Sequence, residues 1–222
     1  MEGKYPRLDV RRMREIIQQE SARLNLRAYV NDSESIFTLA LALTAAVKKI
    51  FYEKSEMTFS NEPTLEKKPV ILYFNEMRID GMEKFNSTTV FSVIDFAATE
   101  EGLEKLQFLI TIVVYLEKNF LPEFLRLLQY PYIDSDDEEE VKDGCGTFVN
   151  LIAGQYKKEM ASMGYKDVLM STFDSYINTA VDGVHIPKGA TEKYEINFEI
   201  DGTKRLAVEM VTQAKFPKWR KV

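Results

Sequence analysis

The chain has 222 residues, with 29 Lys and Arg against 35 Asp and Glu for a formal charge of −6, 45% hydrophobic and 29% charged residues, one Cys and one His. That is the profile of a soluble globular protein long enough to bury a sizeable core; the single Cys and His exclude a disulfide framework and a four-ligand N/S zinc site. No GxSxG elbow or P-loop motif occurs, the N-terminus lacks a signal-peptide apolar core, and the longest dense apolar run, 108–116, is too short to span a bilayer, so the expectation is a cytoplasmic protein with no membrane span, no nucleic-acid partner, and no metal or cofactor of its own.

In chain order, residues 10–24 have the mixed periodicity of a polar leading helix, and Asn31, Asp32 and Ser33 form a cap-rich break. Ile36, Leu39, Ala40, Leu43, Val47 and Ile50 recur at helical spacing, with Phe37, Leu41 and Ala45 on other faces, so this helix is expected to be largely buried. Residues 60–69 read as a loop. Residues 70–74 and 88–96, rich in β-branched and aromatic side chains, read as strands with Asp80-Gly81 turning between them. Thr99-Glu100-Glu101 opens a helical stretch whose β-branched middle, 110–114, is equally compatible with a strand, and Pro122 breaks or kinks the chain beyond it.

The segment 134–140 holds six acids and no base; without it the chain has 29 acids and 29 bases. It sits ahead of a strong helical pattern over 141–163, where acids favour a helix N-terminus, and Gly164 is the expected C′ residue. Two strands are expected between 167 and 184. Tyr194, Ile196, Phe198 and Ile200 then alternate with polar residues, Asp201-Gly202 marks a turn, and Leu206, Val208 and Met210 alternate again, the pattern of an antiparallel hairpin. The order of elements is that of an α+β fold.

The helix over 141–163 carries two faces. Cys145, Phe148, Val149 and Ile152 cluster on one side, and Tyr156 and Met163 extend it. Asp143, Thr147, Asn150 and Gly154 fall at i, i+4, i+7 and i+11, almost opposite. Glycine costs about 1 kcal/mol in a helix interior, and Asn is a poor helix former. Outward Asn beside outward Gly therefore suggests a contact surface; the competing reading is a solvated Asn and a helix thinned for packing within the chain. Gly144-x-Gly146 lacks the strand and third glycine of a nucleotide loop. His185 reads as a structural hydrogen-bonding residue more than a general base, Cys145 as a small core residue, and Phe216 and Trp219 as part of a basic tail docked on its own domain or binding a partner or a membrane surface.

This stretch resembles the signature helix of the CheC/CheX family of chemotaxis phosphatases, which has the form D-x-x-G-E-x-x-N-x-x-x-G. Asp143, Gly146, Asn150 and Gly154 match in register. Gln155-Tyr156-Lys157-Lys158-Glu159-Met160, Met163-Gly164 and His185-Ile186-Pro187-Lys188-Gly189 are similar to the CheX branch. The likeness is good over 137–211 and only architectural over 36–99; residues 1–35 and 117–132 look like additions. The family's Glu falls on Thr147.

The resemblance implies a CheC-like fold, an antiparallel sheet packed with long helices, in a domain at 34–213 flanked by an N-terminal helical extension (1–33) and a basic tail (214–222). It implies action on the aspartyl phosphate of a CheY-like receiver, which supplies the phosphorylated Asp and its Mg²⁺. In that scheme Asn150 orients the attacking water, Asp143 is a candidate substitute for the missing Glu, and Asp143, Thr147, Asn150, Gly154, Lys157 and Lys158 line the partner surface, with the acidic run as a negative collar. A homodimer joined through the sheets is the family's expectation. Three readings stay open: a weak receiver phosphatase, a receiver-binding protein without catalysis, and a flagellar-switch-like structural component.

Overall fold

The computed structural model describes residues 33–56, 59, 61–73, 76–78, 84–85, 87–177 and 186–214. Chain contacts separate residues 1–38 from 39–222; of the first unit only the helical residues 33–38 are described, and the rest of that helix, the sheet and the other helices all belong to the second. The expected leading helix, the Asp80-Gly81 turn, His185, Phe216 and Trp219 lie outside the described residues.

The elements are α1 (Ser33–Ser55), β1 (Thr64–Pro69), β2 (Ile71–Tyr73), β3 (Glu76–Arg78), β4 (Thr89–Ala97), α2 (Glu100–Glu104), β5 (Ile110–Glu117), a 3-10 turn at Lys118–Phe120, α3 (Leu121–Leu127), α4 (Glu138–Ser162), β6 (Leu169–Met170), β7 (Asp174–Ile177), β8 (Glu192–Ile200) and β9 (Thr203–Thr212). All pairings are antiparallel. The main sheet runs β1-β8-β9-β5-β4-β6, with β7 also on β4, and β2 and β3 form a separate hairpin.

Two sequence expectations are resolved or revised. Residues 110–114 are strand: β5 lies between β4 and β9, with every side chain from Ile110 to Leu116 buried. The expected loop at 60–69 contains β1, which pairs with β8 from Thr64 to Pro69. It is an edge strand of mostly exposed residues, so its order comes from backbone hydrogen bonds to a neighbour rather than from an apolar pattern, and its lysines and terminal Pro are what an exposed edge tolerates. The β8–β9 hairpin turns at Asp201 and Gly202, φ 52° and 71°, the left-handed pair that a two-residue turn of matching twist requires.

The helices cover one sheet face. Ile94 and Phe96 of β4, Ile112 and Val114 of β5, Val208 and Met210 of β9, and Ile196 and Phe198 of β8 are all buried there. Phe96 meets Tyr156 of α4 edge-on, and the Tyr156 hydroxyl donates to Met210 Sδ at 3.3 Å. Phe51 of α1, Phe124 of α3 and Phe148 of α4 form an edge-to-face trio, with centroids 4.9 Å apart for Phe51–Phe124 and 4.6 Å for Phe124–Phe148. Residues 117–132 therefore supply part of the clamp that holds α4 in place.

The other face is also buried. Phe85, Phe91, Val93, Val113, Tyr115 and Ala207 form a second apolar cluster, with Val70, Tyr176 and Ile186 packed on it. Beside them Glu195, Glu209 and Lys193 are almost fully closed to solvent. Lys84 bridges Glu195 (2.6 Å) and Glu209, Lys193 reaches Glu209 at 2.7 Å, and the Tyr115 hydroxyl donates to Glu209 at 3.2 Å. Burial pushes the Glu209 carboxyl up and the Lys193 ammonium down, each opposed by its partner. Burial would also raise Glu195, but hydrogen bonds from Lys84 and Lys68 hold it well below the usual carboxylate range.

Candidate functional site

The acidic run builds the start of α4. Asp137 is the N-cap, its carboxylate accepting from the backbone N–H of Glu139 (2.9 Å) and Glu140 (3.1 Å), and Glu138, Glu139 and Glu140 occupy the first turn. The Glu140 carboxylate accepts from the N–H of Asp134 at 2.7 Å. Charge on the run thus satisfies helix-end donors and offsets the macrodipole. The helix begins at Glu138, one turn before the apolar periodicity starts, because capping rather than burial sets its first residue. At the far end Gly164 is left-handed at φ 104°. The N–H of Gly164 bonds to Ala161 O (3.1 Å) and that of Tyr165 to Met160 O (3.0 Å), a Schellman closure.

The two faces of α4 follow the spacing over 141–160, but Met163, expected to extend the apolar face, is the half-buried C-cap residue. Val141, Cys145, Phe148, Val149, Ile152, Tyr156 and Met160 are buried. Asp143 and Asn150 are exposed, and Thr147 and Gly154 half-buried. Further along, Lys157 is half-buried and Lys158 exposed. From Asp143 to Gly154 this stripe runs about 16 Å along the axis. Among the described residues no hydrogen bond engages the Asn150 amide, which leaves both its donor and its acceptor available to water or a partner.

The three glycines have different reasons. A Cβ at Gly144 would lie 2.8 Å from Leu125 Cδ1 and 3.1 Å from Ile133 Cδ1, and one at Gly146 would overlap the Phe173 ring. Both positions are thinned for packing within the chain. A Cβ at Gly154 would meet nothing within 4 Å, so no described residue accounts for a glycine on the stripe.

Cys145 is fully buried, and burial drives its thiol up to about 12. It is a core residue, not a nucleophile at neutral pH. Asp95 of β4, on the face away from the helices, accepts from Thr111 Oγ1. Its carboxyl is pushed up to about 7, first by burial and then by nearby Asp174, against the Thr111 hydrogen bond. No cluster of three or more His, Cys, Asp or Glu suited to a metal occurs among the described residues, and none of the described helices is long and apolar enough to cross a membrane.

Two features are not marked in the sequence. Phe173, whose ring fills the notch at Gly146, is one of two aromatic residues in an expected strand region; an interior helical glycine is the only local sign that something must lie against it. Lys193, Glu195 and Glu209 look like the polar half of strand alternation and Lys84 like a loop lysine, and only the second covered face makes them a buried network.

This architecture, one antiparallel sheet with a long capped helix laid across it, is the α+β fold of CheC-like structures. No family model and no curated protein matches the chain. Among solved structures it is similar to a CheC-like superfamily protein from Shewanella sp. PV-4, with TM-score 0.53 and 15% identity over 79% of this chain and 97% of that one. It is similar to chemotaxis protein CheX from Vibrio vulnificus, with TM-score 0.52 and 15% identity over 78% and 98%. It is also similar to Thermotoga maritima FliY, with TM-score 0.51 and 13% identity over 79% and 85%. At these identities the shared property is the fold.

Proposed function

We propose that the outward stripe of α4 docks against a phosphorylated CheY-like receiver and that Asn150 acts there on the aspartyl phosphate. The supporting observation is a helix surface with an unengaged amide at Asn150 and a bare backbone at Gly154, in the register of the CheC/CheX signature. On this reading the Asn150 side-chain oxygen accepts a hydrogen bond from a water and so aims the water's oxygen at phosphorus. The P–O bond to the water forms as that to the receiver's Asp breaks, phosphate leaves, and the carboxylate is restored. Positioning of this kind, with charge stabilisation from the receiver's own Mg²⁺ and lysine, is what phosphoryl transfer chiefly needs.

Thr147 stands where the family has Glu, and a hydroxyl cannot pair as a charge with a receiver lysine. Asp143, one turn away and exposed, is the nearest carboxylate on the stripe. The loss of that charge favours a second reading, binding and sequestration of the receiver without catalysis. The homodimer and the partner contacts of Lys157 and Lys158 belong to the same proposal.

The test is loss of phosphate from a phosphorylated CheY-type receiver with and without the full chain. Wild type is expected to accelerate it by at least about tenfold, about 1.4 kcal/mol of barrier, with Asn150→Ala returning the rate to baseline and Thr147→Glu raising it further. Binding without acceleration leaves the sequestration reading. A failure to bind any phosphorylated receiver sinks both and favours a switch-complex structural role.

A further inference from the structure

Phe173 reaches α4 through an irregularity in the sheet. β6 and β7 both pair with β4, at Phe96–Met170 and Ala97–Leu169 for β6 and from Val93–Asp174 to Val90–Ile177 for β7. Between them two residues of β4, Ile94 and Asp95, face three, Ser171 to Phe173. That is a one-residue bulge, and a bulge re-aims the side chains beyond it. Without it, Thr172 would hold the helix-facing position after Met170; with it, Phe173 does.

The bulge is pinned on both sides. Ser171 N–H donates to Asp95 O at 2.9 Å, and Asp95 N–H donates to Ser171 Oγ, also at 2.9 Å. Asp174 then enters the ladder opposite Val93. The half-buried Phe173 ring occupies the space a side chain at Gly146 would fill. Gly146 is one turn before Asn150, and helical side chains lean toward the N-terminus over that preceding turn. Side chains four apart have Cβ atoms about 6 Å from each other, so the ring in the Gly146 notch flanks the space over which the Asn150 amide extends.

We infer that Phe173, delivered by the Ser171–Phe173 bulge into the Gly146 notch, is a positioning residue that walls one side of Asn150 and restricts its rotamers; this rests on the receiver reading of the stripe. A long side chain at position 146 would compete with Asn150 for the same space. A planar ring from another strand gives a fixed wall without adding a flexible group to the helix.

The test separates this inference from that reading. In the ¹⁵N,¹³C-labelled full chain, the χ1 scalar couplings of Asn150 report its rotamer distribution without any partner. Wild type should show one dominant rotamer. Phe173→Leu should average it, Gly146→Ala should do the same by displacing the ring, and Phe173→Tyr should retain the wild-type couplings. With a phosphorylated CheY-type receiver, Phe173→Leu should lower kcat about tenfold with KM within about twofold. Unchanged couplings in folded Phe173→Leu, or averaged couplings in wild type, overturn the inference. If the couplings respond as expected but wild type leaves every receiver's phosphate untouched, the proposed function fails while the positioning relationship stands.

Discussion

Lys193 Nζ lies 2.7 Å from the Glu209 carboxylate on a sheet face where both side chains are closed to solvent. The two stand on adjacent strands, near each other but not directly opposite, since Lys193 pairs with Val211 and Glu195 with Glu209. Two carboxylates directly opposite one another would repel; Lys84, from outside the strands, bridges both.

Glu209→Gln should therefore be strongly destabilising. It leaves Lys193 and Lys84 buried with one carboxylate fewer between them, and breaking a buried pair from one side costs about 3–5 kcal/mol. Urea denaturation checks this. The Lys193→Met, Glu209→Leu double variant should recover a large part of the loss, because an apolar pair needs no compensation for desolvation. Equal losses in the single and double variants would mean that the network is not what holds this face.

Asp95 gives a pH dependence with a definite sign. Its folded-state carboxyl lies at about 7, above the ordinary 3.8, so the native state binds the proton more tightly than the unfolded chain. Its contribution is complete below the ordinary value and is lost as pH rises through about 7. Wild type should lose on the order of 3 kcal/mol from this group between about pH 4 and 8. Asp95→Asn, which can still accept from Thr111, should flatten that decline. Denaturation midpoints measured across this range would show it, and identical slopes for the two proteins would rule it out.

Gly154→Ala should divide stability from docking. A methyl group there meets nothing within 4 Å among the described residues, so the helix should gain up to about 1 kcal/mol. Facing a closely approaching partner backbone, the same methyl should weaken receiver binding by about tenfold, equivalent to about 1.4 kcal/mol. A stabilised variant with undiminished affinity would remove Gly154 from the contact surface.

Much of the scaffold is legible in the residues themselves. The two-faced spacing of α4, the acids that cap it, Gly164 behind it and the Asp201-Gly202 hairpin are all local signals, fixed by periodicity, capping chemistry and the steric demands of positive φ. The stripe of Asp143, Thr147, Asn150 and Gly154 follows from the same 100° arithmetic, and the structure leaves Asp143 and Asn150 exposed and Thr147 and Gly154 half-buried along it. Strand β1 is not legible, since an edge strand of lysines and glutamate acquires its conformation from β8 and carries almost no apolar alternation of its own.

What the chain determines by itself, then, is the identity of those helices and strands that carry their own periodicity and caps, and the orientation of one helix face, because these depend on neighbours a few residues apart. Only the tertiary structure decided that Glu195, Lys193 and Glu209 are buried rather than solvated, since that depends on what covers the far side of the sheet. It also decided why the three glycines of α4 differ. Leu125 and Ile133 claim the space at Gly144, Phe173 claims that at Gly146, and no described residue claims that at Gly154. A glycine's own letter is the same in each case; the reason for it lies in whichever distant residue arrives, or does not, against the bare backbone.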